Sequence, residues 1–280
     1  MTTLPLLHIR LRALLRLAKT ALHLIGGALI VLLVYPGSTD ARRLMLKQRW
    51  SQQLLDALGV TLKVGAGTTA ICAPNGMLVA NHVSFLDVFV INALAPAAFV
   101  AKDDVRKWPL IGWMSTRTDT IFIERGSRRA AQLTRENLVG HLRDGKRVVV
   151  FPEGTTSDGR QVLPFHGALL QSAIDAGVAV TPLALRYTDV TGAQSAAADY
   201  IGDTSLAACL WAIACADGLA ACIETLPALP TTATDRRHLA AHAHRAVSHA
   251  LKHALSPSPK ALPAADRVGA LPDGLPAAPR

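Results

Sequence analysis

A histidine and a carboxylate stand five residues apart in Asn81-His82-Val83-Ser84-Phe85-Leu86-Asp87. On one continuous helix, positions five apart point about 140° away from each other. His82 and Asp87 therefore meet only if His82 precedes a helix and Asp87 reaches back from its first turn. Ser84 and Asp87 form an S-x-x-D capping pattern, which predicts that arrangement with the helix opening just after Ser84. A carboxylate on one ring nitrogen fixes the imidazole tautomer and leaves the other nitrogen as a general base.

Three further segments carry chemistry-bearing groups. Ile121-Phe122-Ile123-Glu124-Arg125-Gly126 puts Arg125 where a strand ends, the place where ligands bind in an open α/β sheet. Arg128 and Arg129 follow it, and a guanidinium fork suits phosphate or carboxylate. Next, the apolar stretch Val148–Phe151 runs into Pro152-Glu153-Gly154-Thr155-Thr156-Ser157. A glycine there permits close backbone approach, and exposed N–H groups with threonine hydroxyls bind anionic oxygens. Last, Val180-Thr181-Pro182-Leu183-Ala184 is an apolar strand broken by proline.

The elements needed to position these groups alternate along the chain. Strands are expected at Val60–Val64, Met77–Asn81, Ala98–Lys102, Thr120–Glu124, Arg147–Phe151 and Val180–Tyr187. Helices are expected at Asp40–Leu58, with Asp40 as the cap, and at Phe85–Leu94, Ser127–Asp144, His166–Ala176, Ser205–Ala216 and Asp235–Leu255. Such alternation predicts an α/β layer fold, a single domain with a largely parallel mixed sheet flanked by helices. The expected organisation is an N-terminal membrane anchor over 1–38, the α/β domain over 39–230, a C-terminal helix over 231–255 and a proline-rich disordered tail over 256–280.

The chain has 280 residues, half of them hydrophobic, which excludes a disordered or collagen-like protein. Its 29 Lys and Arg against 20 Asp and Glu give a formal net charge of +9, which favours an anionic partner or membrane surface. Few aromatics, 5% of residues, argue against nucleic acid as that partner. Cys72, Cys209, Cys215 and Cys222 have no C-x-x-C spacing, so no zinc site or disulfide framework is indicated. His238, His242, His249 and His253 recur near one helix face, but no carboxylate or cysteine joins them, and no metal is expected. Two pattern matches fail on context. Gly140–Lys146 lacks the Ser or Thr of a phosphate loop and precedes a strand. Gly65–Ala70 leads into a strand and turn with no helix for a pyrophosphate.

The N-terminus holds the apolar run Ala21–Tyr35, broken only by His23. As a helix it covers roughly 22 Å, short of a hydrocarbon core of about 30 Å. Arg10, Arg12, Arg16 and Lys19 precede it, and Arg42, Arg43, Lys47 and Arg49 follow it, so charge selects no orientation. Cations on both flanks fit a helix that dips into one leaflet, and a spanning helix stays open.

NHVSFLD, FIERG, FPEGTTS and VTPLA stand in the order and approximate spacing of the four motifs of the lysophosphatidate-type glycerolipid acyltransferases, and residues 40–230 resemble that family. The resemblance implies acyl transfer from acyl-CoA or acyl-carrier protein to the free hydroxyl of a lysolipid, with no cofactor, at the cytoplasmic face of a membrane. It implies His82 as base and Asp87 as the group that orients it. Arg125, Glu153, Gly154 and Thr155 would position the acceptor head group, with Thr156 and Ser84 among the substrate contacts and Pro182 shaping a pocket. Thr156 replaces an arginine frequent in the family, which removes a phosphate contact. The acceptor therefore stays open between 1-acylglycerol-3-phosphate and lyso-ornithine lipid, whose acyltransferases also carry EGTT. An inactive membrane scaffold of the same fold would differ in not needing His82. A serine hydrolase is disfavoured because no G-x-S-x-G elbow occurs.

Overall fold

The computed structural model describes residues 3–65, 75–123 and 128–253. The chain opens with α1 (Thr3–Leu29), which continues as a π-helical turn at Ile30–Val34 and a short 3₁₀ turn at Tyr35–Gly37. There follow α2 (Asp40–Leu58), β1 (Thr61–Val64), β2 (Gly76–Ala80), α3 (Asp87–Leu94), β3 (Ala98–Lys102), α4 (Ile111–Arg117) and β4 (Ile121–Ile123). The second half runs α5 (Arg128–Arg143), β5 (Arg147–Val150), α6 (Gln171–Ala176), β6 (Val180–Thr188), α7 (Leu206–Cys215), β7 (Ala220–Thr225) and α8 (Arg236–His253).

The seven strands form one sheet in the order β1-β7-β6-β2-β5-β3-β4, parallel at every pairing except β6 with β7. Alternate residues of β2 serve two cores, because successive strand side chains point to opposite faces. Leu78 and Ala80 join Leu54 and Leu58 of α2, Ile91 of α3 and Ile213 of α7. Met77 and Val79 join Leu138 of α5, Ala173 of α6 and Ala243 of α8. The expected mixed α/β fold is therefore a three-layer domain, with β2 and β5 adjacent at its centre.

Several expectations need correction. The apolar run Ala21–Tyr35 is only the second part of the N-terminal helix, and the arginines of its first part serve as clamps. Arg16 donates to the carbonyls of Ala214 and Ala216, and Arg12 to that of Cys215 and to Asp217 at 2.6 Å. These close the carbonyl end of α7, where cations are favoured. Gly27 permits the close approach to α2, since a Cβ there would meet Trp50 Nε1 at 2.3 Å. The cap of α2 is Thr39, whose hydroxyl accepts from Arg42 N–H, and not Asp40.

Pro182 does not break its strand. Leu226 donates to the Pro182 carbonyl, so the absent Pro182 N–H faces the point where the β6–β7 ladder runs out. β7 and α4 were not foreseen, and α6 begins at Gln171 instead of His166. Residues 256–280, Cys72 and Arg125 lie outside the described residues.

Candidate active site

β2 ends at Ala80, and its neighbour Asn81 extends the sheet with a side chain. The Asn81 amide donates to Leu185 C=O and accepts from Leu185 N–H, both at 2.8 Å, as a peptide group would. His82 then leaves the sheet and α3 begins at Asp87. Asp87 is fully enclosed and reaches back from that first turn. Its Oδ2 lies 2.8 Å from His82 Nδ1 and accepts from Val83 N–H at 2.7 Å and Ser84 N–H at 3.0 Å. Its Oδ1 accepts from the Tyr187 hydroxyl at 2.7 Å. The carboxylate thereby places a proton on Nδ1 of a neutral His82 and leaves Nε2 as the basic atom. Nε2 has no hydrogen-bond partner among the described residues.

The β5 end supplies the second half of the site. Val79 pairs with Val150, so His82 and Glu153 come level as the two strands run out. Glu153 Oε1 accepts His82 N–H at 2.8 Å and its Oε2 accepts Leu163 N–H at 3.0 Å. Ser157 N–H donates to His82 C=O at 2.8 Å, so the His82 backbone is held on both sides. Burial raises the Glu153 carboxyl above its ordinary value, against the pull of those N–H donors. Gly154 adopts φ +68°, in the left-handed region open to glycine, which turns Thr155 and Thr156 toward the cavity. Phe151 stacks on the His82 ring with centroids 4.0 Å apart.

His82, Gly154, Thr155 and Thr156 line one end of an apolar cavity of about 600 Å³. It runs past Phe85, Phe89 and Phe99 to the inner sides of α1 and α2. That size lies within the ordinary range of small-molecule sites. A basic nitrogen thus faces a greasy slot large enough for a hydrocarbon chain.

The other residues expected at the site divide between the cavity wall and the support behind His82. Ser84 is fully enclosed, and the helix it was expected to cap begins at Asp87 with no side-chain cap. Its backbone N–H, and not its hydroxyl, takes part. Glu153 is 4% exposed with both oxygens on backbone N–H groups, so it braces His82 and does not line the cavity. Pro182 is buried inside the sheet and also stays off the cavity wall. Thr156 lines the cavity, but its hydroxyl donates to the Tyr200 carbonyl. Arg129 is exposed on α5. Tyr187 and Phe151 were missed, because an aromatic residue in an apolar strand reads as core. The single available signal was that a buried tyrosine hydroxyl requires a partner. No group of three or more His, Cys, Asp or Glu side chains gathers as a metal site among the described residues.

An α/β sheet that presents a carboxylate-held histidine to an apolar cavity defines a class of protein in which a basic nitrogen stands beside room for an apolar ligand. A family model described as Acyltransferase matches residues 63–186, which span both loops. A lyso-ornithine lipid O-acyltransferase of Pseudomonas aeruginosa is 37% identical over 214 residues, covering 76% of this chain and 82% of that protein. A 1-acyl-sn-glycerol-3-phosphate acyltransferase of Neisseria meningitidis is 45% identical over 161 residues, 57% of this chain and 62% of that one. The chain thus spans a little under two thirds of the Neisseria relative. The crystal structure of the 1-acyl-sn-glycerophosphate acyltransferase of Thermotoga maritima has the same fold, with a TM-score of 0.70 at 21% identity, over 91% of this chain and 99% of that one. The chain belongs to the Acyltransferase family.

Proposed function

We propose that this protein is a membrane-associated O-acyltransferase that moves a fatty acyl group from acyl-CoA or acyl-carrier protein to the free hydroxyl of a lysolipid, with 1-acylglycerol-3-phosphate as acceptor and phosphatidate as product. The observation that carries this is His82 Nε2, without a hydrogen-bond partner among the described residues, on the wall of the apolar cavity, with Nδ1 fixed by Asp87. Nε2 takes the acceptor's hydroxyl proton as its oxygen attacks the thioester carbonyl carbon. The tetrahedral intermediate collapses, the carbon–sulfur bond breaks, and the leaving sulfur takes the proton from Nε2, which restores the neutral base. Buried Asp87 stabilises the imidazolium between those events. No covalent enzyme intermediate is required.

A second acceptor, lyso-ornithine lipid, is favoured by one observation: Thr156 holds the place of an arginine and spends its hydroxyl on Tyr200 C=O instead of a head group. The Pseudomonas relative, which acts on that lipid by name, points the same way.

The membrane reading rests on the outer side of α1. By length and composition this helix could cross a bilayer. Its inner side, however, is clamped to α7 by Arg12 and Arg16, and to α2 by Trp50, which stacks on His23. Leu11, Leu15, Leu22, Leu29 and Leu33 project outward, Leu22 and Leu33 with 70% of their surface exposed. They fall within about 100° of arc, the pattern of a helix lying in the interface plane. Such a helix sets the cavity beside the leaflet that holds lysolipid.

Labelled acyl transfer by membranes containing the protein, with both acceptors and both donors offered and His82→Ala as control, tests this. His82-dependent product from lysophosphatidate supports the first acceptor, and product from lyso-ornithine lipid alone replaces it with the second. No His82-dependent product from any combination refutes the acyltransferase reading.

A further inference from the structure

Asp87 holds His82 through one oxygen, yet its other oxygen is also committed, to a residue 100 positions away. We infer that Tyr187 is a positioning residue of the acyl-transfer reaction: its hydroxyl, donated to Asp87 Oδ1, fixes the carboxylate plane and sets how strongly Asp87 holds the proton that His82 acquires. The inference rests on the assignment of His82 as the base.

The geometry carries it. Asp87 is fully enclosed, and because its last bond has only a broad torsional preference, its hydrogen bonds set the carboxylate plane. Oδ2 is fixed by His82 and by the Val83 and Ser84 N–H groups, and Oδ1 by Tyr187 alone among the described residues. Tyr187 itself cannot drift. It sits in β6 between Leu185 and Thr188, is 2% exposed, and pairs through its backbone with Ala221 of β7. The Asn81–Leu185 bonds tie that same strand to the start of the His82 turn.

The titratable groups nearby do not compete for this role. Cys209 of α7 lies near Tyr187, and burial pushes its thiol up to about 11, so it stays neutral. Asp199 is felt at Cys209, and Glu153 is occupied behind His82 by two backbone N–H groups. Burial, and then the Asp87 charge, hold the Tyr187 phenol well above its ordinary range. The hydroxyl is therefore a donor throughout the working pH range. A carboxylate that loses one donor concentrates its charge on those remaining. Without the hydroxyl, Asp87 grips the protonated His82 more tightly, and the base becomes harder to regenerate.

Tyr187→Phe keeps the ring and removes the hydroxyl. The expected result is a kcat lower by on the order of 10-fold with the acceptor KM little changed. The acid limb of kcat/KM against pH moves upward by about half a unit or more. If kcat and the acid limb match those of the unaltered protein while only the melting midpoint falls, the hydroxyl is a structural bond and the inference is overturned. Should Tyr187→Phe fail to fold, 3-fluorotyrosine at position 187, in a Tyr35→Phe, Tyr200→Phe background, strengthens the donor. The acid limb then moves downward, and an unmoved limb overturns the inference. His82→Ala in the same assay separates the two failures: retained activity there refutes His82 as base, whereas an inactive His82→Ala beside an unshifted Tyr187→Phe refutes Tyr187 alone.

Discussion

The β2–α3 turn and the β5–α6 loop leave neighbouring strands side by side, and each buries one carboxylate against His82. Asp87 grips the imidazole ring, whereas Glu153 grips the backbone N–H of the same residue. Two acids of similar burial, 0% and 4% exposed, thus do different work on one histidine. One sets which nitrogen carries the proton; the other sets where the ring stands. The role of a buried carboxylate in a site thus follows from what it accepts, not from its proximity to the reacting atom.

Breaking the ring side of this comparison gives the largest effect. His82→Ala removes the imidazole proposed as base, and kcat should fall about 10³- to 10⁴-fold in the acyl-transfer assay. Asp87→Asn should follow at about 10²- to 10⁴-fold. An amide cannot satisfy the Val83 and Ser84 N–H groups, the His82 proton and the Tyr187 hydroxyl together. Retention of wild-type kcat by Asp87→Asn would erase the distinction between the two acids.

On the backbone side, Glu153→Gln keeps the volume and loses an acceptor for either His82 or Leu163 N–H. A ring displaced by a fraction of an ångström should cost about 10-fold in kcat without moving its pH limbs. The same variant has a stability signature with a definite sign. Burial raises the Glu153 carboxyl above its ordinary 4.5, so the folded protein binds that proton more readily than the unfolded chain. Its contribution to stability is fully present below pH 4.5 and is lost as pH rises through the raised value. Denaturation of the wild type in urea at stepped pH should show that decline, and Glu153→Gln should flatten it.

The smallest effect is expected at Thr156. Thr156→Val leaves the Tyr200 carbonyl unpaired, worth about 1 kcal/mol, or a fall of about 2–4 °C in Tm. The ratio of activities on the two acceptors should hold, because the hydroxyl is turned to the backbone. A large swing in that ratio would move Thr156 from the scaffold to the acceptor site.

Much of the fold was legible. The positions of β3 and β5, the span of α2 and the alternation of the layers follow from apolar periodicity and turn residues. β7 escaped because Ala220–Thr225 is a short apolar stretch without alternation, and its antiparallel place beside β6 depends on a partner distant in sequence. The work of Arg12 and Arg16 escaped because cations ahead of an apolar run suit a membrane flank equally well, and only α7 reveals them as clamps on its carbonyls.

The His82–Asp87 pair is written in local sequence, because five residues and one helix start are enough to bring the two side chains together. The rest of the His82 surroundings comes from contacts between strands. Glu153 reaches His82 across 71 positions and Tyr187 reaches Asp87 across 100, and both contacts exist because β5 and β6 flank β2. Hydrogen bonds within a turn are written in local spacing. Those between strands depend on register, which the whole sheet sets together.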